Sequence, residues 1–557
     1  MALELLLAHA DGLPVLRQGL TEGSLRNALE PEALEPPEIL GDPSGDPNVL
    51  PRQRWGLVAP QGPEGKRLLE LVDELKRWRE KEQGAPVRVY LVPPGLDGPA
   101  AARWKKRVFR SKDVPDAERP RYLLLLGDLH QVPLELQQVL SSDAYVGRLA
   151  FPSEAGYEAY VTKVLRWERT PSRERHPRLL FFTSKDGTAA TDMGLRGLIR
   201  PSLTACRERQ KVGGFPEAEL RELIGDGKAP AGQLLAQAAE PRPSVLFSLS
   251  HGLGPPKDGW DSAPRQRELQ GALVLPGGQL LTGADLASRP FLPGGIWFAF
   301  ACYSAGTPVR SAYTQWLSQL PPEVDPDAAR VLASALRREV ERPFIAALPQ
   351  AVLANPEGPL AVMGHVDLAW TFSYLDQGRD TSANFFGLLH TLAEGRRTGV
   401  ALSTLLRFLN EASTELTTLY NHEASELQAG RPSPVDPVAR AWLWMLRQDL
   451  AGYILLGDPA VRLPLAPARV ETSDPRFSLD AMASVGLAGF EPPAQAASEH
   501  ESAAAEQAIL ELLTGKGSVA DIAARHGISP EELQQREELY RAAGRAALAR
   551  HLSRRGL

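Results

Sequence analysis

A histidine and a cysteine each follow a short apolar run, a pattern that can support chemistry. His251 comes at the end of SVLFSLSHG (244–252), and Cys302 lies in GIWFAFACYSAGTP (295–308). A cysteine attacks as its thiolate, and a nearby imidazole supplies or accepts the proton. If both runs are strands of one parallel sheet, their carboxyl ends lie at the same edge and both side chains face one crevice. The spacing therefore predicts a nucleophile and its acid–base partner.

The residues beside this pair suit the same chemistry. Gly252 leaves its N–H free to approach a substrate carbonyl oxygen, and Ser304, Ala305 and Gly306 predict a tight turn against which a peptide could lie. The alternative is structural, because a buried cysteine is usually a small core residue. We interpret the other cysteine, Cys206, in that way, since no histidine lies near it in the sequence.

Alternating apolar runs and amphipathic segments predict the elements that position the pair. Residues 64–82 and 157–170 have helical spacing, and AARWKKRVFR (101–110) predicts a short helix. Further helices are expected over 194–210, 382–428 and 436–450. Strand candidates are 55–60, 87–94, 121–129, 178–184, 244–252, 295–308 and 359–370. This alternation is typical of βαβ units and of a parallel sheet with buried strands. The expected fold class is α/β.

Composition excludes several classes of protein. The 557 residues carry a formal charge of -6, from 62 basic and 68 acidic side chains, and 43% are hydrophobic. Such a balance argues against wholesale disorder and against a chain that works mainly by coating nucleic acid or anionic membrane. Two cysteines exclude a disulfide scaffold and a cysteine-rich zinc module. The first residues make a poor signal peptide and no run spans a membrane, so a cytoplasmic protein is expected.

Six segments in order resemble the caspase-like cysteine peptidases, the group that includes gingipains, clostripain, legumain, separase, caspases and bacterial CHAT domains. The gingipain-like and CHAT branches are the most similar. The segments span roughly 120 to 465 and are RYLLLLGD (121–128), SDAYVGRLA (142–150) with EAYVTKVLRWER (158–169), FSLSHG (247–252), FACYSAG (300–306), PQAVLANPEGPLAVMGHVDLAW (349–370) and YILLGDPAVRLPL (453–465).

The resemblance implies a caspase-like (caspase-hemoglobinase) three-layer αβα sandwich with a mostly parallel sheet. It also implies that Cys302 attacks a peptide carbonyl and that His251 protonates the leaving amine. The backbone N–H groups of Gly252 and Cys302 would then stabilise the oxyanion. No metal and no cofactor are expected, and a third, orienting acid is not identified.

By position in the family, His365, Asp367 and Trp370 are expected to line the substrate pocket. Asp367 could pair with an arginine or lysine side chain of the substrate, or it could instead cap the next turn. The gingipains that cleave after arginine carry an acid just before the VGR stretch, and the matching position in this sequence is Val139.

The expected domains are a Pro-rich arm over 1–50, an N-terminal α/β subdomain of the peptidase over 51–240 and a catalytic subdomain over 241–465. A linker is expected over 466–505, followed by a small all-α unit over 506–557. Within that unit, GSVADIAARHGISPEELQQREELYRAA (517–543) resembles a helix-turn-helix. Its expected second helix opens with Glu531 and Glu532, which disfavours phosphate contact. A protein partner is therefore favoured over nucleic acid, and a solvated helical cap remains an alternative.

Together these patterns predict an intracellular bacterial cysteine endopeptidase with a Cys–His dyad, which cleaves a protein substrate and is regulated by a partner or signal. The resemblance also suggests a place in a defence or programmed-death system. Two alternatives stay open. One is a catalytically silent caspase-like scaffold that binds protein partners, and the other is a DNA-binding regulator that acts through its C-terminal module.

Overall fold

The computed structural model describes residues 2–3, 7–8, 20–21, 45–227, 231–256, 258–314, 341–376, 379–433, 435–466, 518–526, 529 and 533. The chain divides into two compact units, Met1–Arg469 and Val470–Leu557. Most of the expected arm (1–50) and almost all of the expected linker (466–505) lie outside the described residues. The predictions for these two segments therefore stay predictions.

A ten-stranded sheet forms the centre of the larger unit. Its strands, in chain order, are β1 Trp55–Pro60, β2 Arg88–Val92, β3 Tyr122–Leu126, β4 Tyr145–Leu149, β5 Arg178–Ser184, β6 Glu219–Gly225, β7 Ser244–Leu249, β8 Ile296–Phe300, β9 Ala361–His365 and β10 Tyr453–Leu456. Across the sheet the order is β2-β1-β3-β4-β10-β9-β8-β7-β5-β6. Strands β2, β1, β3 and β4 are parallel to one another, as are β9, β8, β7, β5 and β6. Strand β10 runs antiparallel to β9.

Helices follow most of these strands. They are α1 Pro63–Leu71, α2 Asp73–Gln83, α3 Gly98–Trp104, α4 Leu134–Leu140, α5 Glu154–Arg169, α6 Ala189–Gly194, α7 Arg200–Lys211, α8 Gly232–Ala238, α9 Ala263–Leu269, α10 Ala347–Ala354, α11 Ala383–Ala393, α12 Thr398–Gln428 and α13 Pro437–Ala451. A turn of π-helix, Leu195–Ile199, joins α6 to α7, and a second one, Lys105–Phe109, follows α3.

Both faces of the sheet are covered, because neighbouring residues of one strand enter different cores. In β3, Leu124 and Leu126 belong to the larger core cluster, whereas Leu123 and Leu125 belong to a second one. Successive strand residues point to opposite faces of a sheet, so apolar material packs on each side. This arrangement of three layers around a mostly parallel sheet confirms the expected α/β class.

Some apolar runs predicted longer or more continuous elements than the structure has. The expected strand over 359–370 stops at His365, because Asp367 has a φ of 115°, which does not fit a strand. The expected strand over 295–308 stops at Phe300. The expected helix over 64–82 is divided at Val72 into α1 and α2. Hydrophobic periodicity marks burial but does not locate such local breaks.

The expected boundary between the two subdomains, at residue 240, falls between β6 and β7, which are strands of the same sheet. Strands β5 and β6 precede it in the sequence, yet they pair on the same side of the sheet as β7. The division into 51–240 and 241–465 stays a prediction.

The smaller unit is described only in part. A helix, Val519–His526, buries Ile522 and Ala523, which cluster with Leu533. The Ser518 hydroxyl accepts a hydrogen bond from the Asp521 N–H at the start of this helix, 3.2 Å away. The helix lies within 517–543, the segment that resembles a helix-turn-helix.

Candidate active site

The structure places Cys302 just beyond the carboxyl end of β8. Its side chain is fully buried, and its Sγ atom lies 3.2 Å from the backbone nitrogen and 3.6 Å from the carbonyl oxygen of Ala369. The next residue, Tyr303, has a φ of 57° and donates its N–H to the Asp367 carbonyl at 2.8 Å. A left-handed conformation at a non-glycine residue is costly and is found mostly at functional sites.

His251 follows β7, which is the neighbour of β8 in the sheet. The Ser250 N–H donates to the Phe300 carbonyl at 3.2 Å, so the two segments stay in register just beyond the ends of β7 and β8. A Cβ added to Gly252 would lie only 1.8 Å from the Cys302 carbonyl oxygen. Only glycine permits this approach, which brings the segment carrying His251 directly against the backbone of Cys302.

The His251 ring is held by residues from the loop after β5. Its Nε2 atom lies 2.9 Å from the Thr188 hydroxyl and 3.5 Å from Asp186 Oδ2. Asp186 Oδ1 in turn accepts hydrogen bonds from the hydroxyls of Thr188 and Thr191, at 2.8 and 2.7 Å. The carboxylate is thus fixed in place close to the imidazole.

The sequence reasoning missed Asp186. A signal was present, because KDG (185–187) follows the apolar strand β5 just as His251 follows β7. What the sequence did not reveal was the strand order, in which β5 lies next to β7. That order places Asp186 at the edge of the sheet where the carboxyl ends of these parallel strands meet.

The surroundings of Cys302 favour a neutral thiol. Burial raises its pKa well above the usual value, the hydrogen bond from the Ala369 N–H lowers it, and the negative charges of Asp367 and Asp449 raise it. A thiolate is the nucleophilic form of cysteine, so these surroundings do not favour nucleophilic attack by Cys302.

Two of the three expected pocket residues lie close to Cys302 and anchor the chain there. The carboxylate of Asp367 accepts the N–H groups of Ala312 and Leu368, each at 2.8 Å, which is the capping arrangement. Burial raises its pKa to about 6. Trp370 is fully buried and its ring packs 5.4 Å from that of Tyr313. A basic substrate side chain at Asp367 stays a prediction.

The third expected pocket residue, His365, is fully buried at the end of β9. Its Nδ1 lies 3.1 Å from the Asp367 carbonyl, and its Nε2 lies 2.9 Å from the carbonyl of Asp449. Burial lowers its pKa to about 4. The ring therefore joins the end of β9 to the end of α13.

Asp449, which the sequence reasoning also missed, holds the segment that covers the thiol. Its carboxylate accepts the N–H of Trp370 at 2.9 Å and that of Ser373 at 3.0 Å. Burial raises its pKa to about 7. Nothing in the sequence distinguished this acid from the other acids of a helix, because its partners lie almost 80 residues away.

The remaining candidates lie apart from this site. Cys206 is buried in α7, and burial raises the pKa of its thiol to about 12, which suits a structural residue.

Within the described ranges, no cluster of three or more His, Cys, Asp or Glu side chains is arranged to hold a metal ion. Among the helices that the structure describes, none has the length and apolar character needed to cross a membrane.

Comparison with known proteins gives one family match and several similar structures. Residues 506–556 match the model of a helix-turn-helix domain family. The crystal structure of the Arg-specific cysteine proteinase gingipain R shares 11% identity over 77% of this chain and 81% of its own, with a TM-score of 0.42. The complex of Porphyromonas gingivalis RgpB pro- and mature domains shares 12% identity over 74% of this chain and 81% of its own, with a TM-score of 0.40. No curated protein matches the chain.

Proposed function

We propose that this chain is a caspase-like cysteine endopeptidase, in which Cys302 is the nucleophile and His251 its acid–base partner. The observation that carries the proposal is the contact of Gly252 with the backbone of Cys302, at the carboxyl ends of two neighbouring parallel strands. The hold of Thr188 and Asp186 on the His251 ring supports it, because a general base needs a fixed orientation.

In the proposed reaction, Cys302 loses its proton to His251 and its Sγ atom bonds to the carbonyl carbon of the substrate. The backbone N–H groups of Gly252 and Cys302 stabilise the oxyanion, and such donors typically contribute about 3 kcal/mol each. His251 then protonates the leaving amine as the peptide bond breaks. A water molecule, deprotonated by His251, hydrolyses the acyl-enzyme and returns the thiol.

We also propose that the enzyme is regulated by a partner or signal. The thiol is fully buried, and the backbone of Ala369 contacts it through both its nitrogen and its carbonyl oxygen. A peptide carbonyl can reach Sγ only after the segment that contains Ala369 has moved. Asp449 and Asp367 hold the two sides of that segment, so its displacement is the step on which a regulator would act.

Labelling with acyloxymethyl-ketone peptides, with and without a cell lysate, tests this function. Wild type, Cys302→Ala and the matched control Cys206→Ala are compared, because the control removes the other cysteine. We expect label on wild type and on the control but not on Cys302→Ala. Label that appears only with lysate would identify a latent enzyme that needs an activator.

The burial of Cys302 favours one alternative, a catalytically silent scaffold that binds protein partners. Folded wild-type protein that takes no label under any condition would decide for the scaffold and against the peptidase.

For the C-terminal module we propose a protein partner rather than nucleic acid. The helix-turn-helix match locates the module, and Glu531 and Glu532 in its sequence argue against contact with phosphates. A salt-dependent shift of DNA by the full chain that is lost when residues 506–557 are deleted would overturn this. A role in defence or programmed death stays a prediction from the resemblance.

A further inference from the structure

Three buried hydrogen-bond donors lie beside the proposed active site. They are the hydroxyl of Tyr313, the indole N–H of Trp444 and the Nε–H of Arg447, and none has a hydrogen-bond partner in the described part of the chain. Tyr313 is 1% exposed and Trp444 is 2% exposed, whereas Arg447 is partly exposed. Burying such groups without partners is costly, and native proteins rarely do so without a reason.

These side chains belong to one cluster. The rings of Tyr313 and Trp444 pack nearly perpendicular, with centroids 6.1 Å apart. Trp444 and Arg447 are three residues apart on α13, so they share one face of the helix. Burial lowers the pKa of Arg447, and the nearby Tyr313 raises it.

The guanidinium of Arg447 has few partners among the described residues. One of its terminal nitrogens donates to Gln448 Oε1 at 2.8 Å, and no carboxylate of the described residues forms an ion pair with it. Arg79, by contrast, pairs with both Asp458 and Glu168. Because its buried Nε–H has no partner and no carboxylate of the described residues pairs with it, the guanidinium of Arg447 has capacity for an anionic ligand.

The cluster lies one layer of side chains from the proposed nucleophile. Ala369 contacts Sγ of Cys302, and the next residue, Trp370, stacks on Tyr313. Asp367 holds Tyr313 in place indirectly, because its carboxylate accepts the N–H of Ala312. A peptide bound across Cys302 could therefore place a side chain against this cluster.

We propose that Arg447, with Tyr313 and Trp444, binds the carboxylate of an acidic side chain in the peptide substrate. The carboxylate accepts hydrogen bonds only, and all three groups can donate. The proposal rests on the proposed peptidase function for its substrate. An acidic preference is the opposite of the basic one predicted for Asp367, whose carboxylate already accepts two backbone N–H groups.

A binding experiment tests this site without catalysis. The full-length Cys302→Ala protein is titrated with two capped hexapeptides of alanine, one carrying a central glutamate and the other a central glutamine. Calorimetry and tryptophan fluorescence report binding. We expect the glutamate peptide to bind at least about tenfold more tightly, because the glutamine peptide leaves the guanidinium without its anion.

Variants of Arg447 then assign the preference. Arg447→Gln should abolish the difference between the two peptides, and Arg447→Lys should restore part of it. The matched control is Arg440→Gln on the same helix, whose side chain is paired with Glu423 and which should keep the full difference. Equal affinities for both peptides, no binding of either up to millimolar concentration, or a difference that persists in Arg447→Gln would each overturn the site. Failure of Cys302 labelling would instead count against the peptidase, and a glutamate preference in Cys302→Ala would still stand.

Discussion

Gly252 and Cys302 touch through their backbones, with no room for a side chain between them. Replacing Gly252 with alanine should force the backbone segments of Gly252 and Cys302 apart, because the added Cβ would fall 1.8 Å from the Cys302 carbonyl oxygen. We expect labelling of Cys302 to fall about a hundredfold, the cost of a displacement near 1 Å at a reacting centre. The measurement is the second-order labelling rate. Gly227→Ala is the control, since a Cβ there meets nothing within 4 Å. A wild-type rate in Gly252→Ala would contradict the proposed geometry.

Asp186→Asn should slow catalysis while leaving the fold intact. The variant keeps the size of the side chain but removes the charge 3.5 Å from the His251 ring. We expect a fall of about a hundredfold in the rate of peptide cleavage, at the low end of what general acid–base catalysis contributes. Thermal unfolding measured in parallel separates this effect from loss of structure.

Asp192→Asn is the matched control for Asp186. Asp192 lies on α6 and its carboxylate pairs with the exposed Arg196 rather than with His251. If both variants lose the same activity, Asp186 has no special role. Rescue by Asp186→Glu would support its role as a positioning residue.

The buried pair His365 and Asp449 predicts a pH-dependent difference in stability. The pKa of Asp449 rises to about 7 in the folded chain, so the folded state holds a proton that the unfolded state loses above about pH 4. This lowers the free energy of unfolding as the pH rises from about 4 to about 7. The pKa of His365 falls to about 4, which raises the free energy of unfolding between about pH 4 and 6.5 and partly cancels that trend.

Asp449→Asn should remove the first effect and leave the second. Relative to wild type, the variant should therefore gain stability as the pH rises from about 4 to about 7. Its lost hydrogen bond adds an offset that does not depend on pH. Urea denaturation at several pH values measures the difference, and a difference that is constant with pH would contradict the prediction.

Lys163 should be worth about 2 to 3 kcal/mol of stability. It is 2% exposed, and its Nζ atom donates to the carbonyls of Val352, Leu353 and Asn355 at the end of α10. Lys163→Met would remove this donor from all three carbonyls, although the Asn355 carbonyl still accepts the N–H of Gly358. One buried group left unsatisfied typically costs about 1 to 3 kcal/mol. Chemical denaturation measures the change, with the exposed Lys66→Met as control. Equal stability of the two variants would show that the cap is dispensable.

The proposed nucleophile and its proposed partner could be singled out in the sequence because both follow apolar strands, and strand order was not needed to see that. Asp186 and Asp449 could not be found in this way. Each acts on a residue that the sheet brings close from a distant part of the chain: Asp186 on His251 and Asp449 on Trp370. Such contacts depend on strand order and on the direction of α13, which no local pattern reveals.

The segment that covers Cys302 could not be predicted either. Apolar periodicity favoured a strand through 359–370, whereas the chain leaves the sheet after His365 and folds back over Cys302. The positive φ of Asp367 sets this departure, and its carboxylate bonds to Ala312 and Leu368 hold it. Backbone strain of this kind is fixed by tertiary contacts and leaves little trace in composition.

The position of β10 has a consequence for the order in which the protein can assemble during synthesis. Tyr453–Leu456 is the last strand of the larger unit to be made, yet it lies between β4 and β9 in the middle of the sheet. Until it emerges from the ribosome, both neighbours present unpaired edges, which are prone to aggregate. Just after this strand, the N–H of Gly457 donates a hydrogen bond to the Arg148 carbonyl. Just before it lies α13, which supplies Asp449. A nascent chain shorter than about 460 residues therefore cannot complete the sheet beside the site, and the proposed peptidase activity requires that translation of this unit has finished.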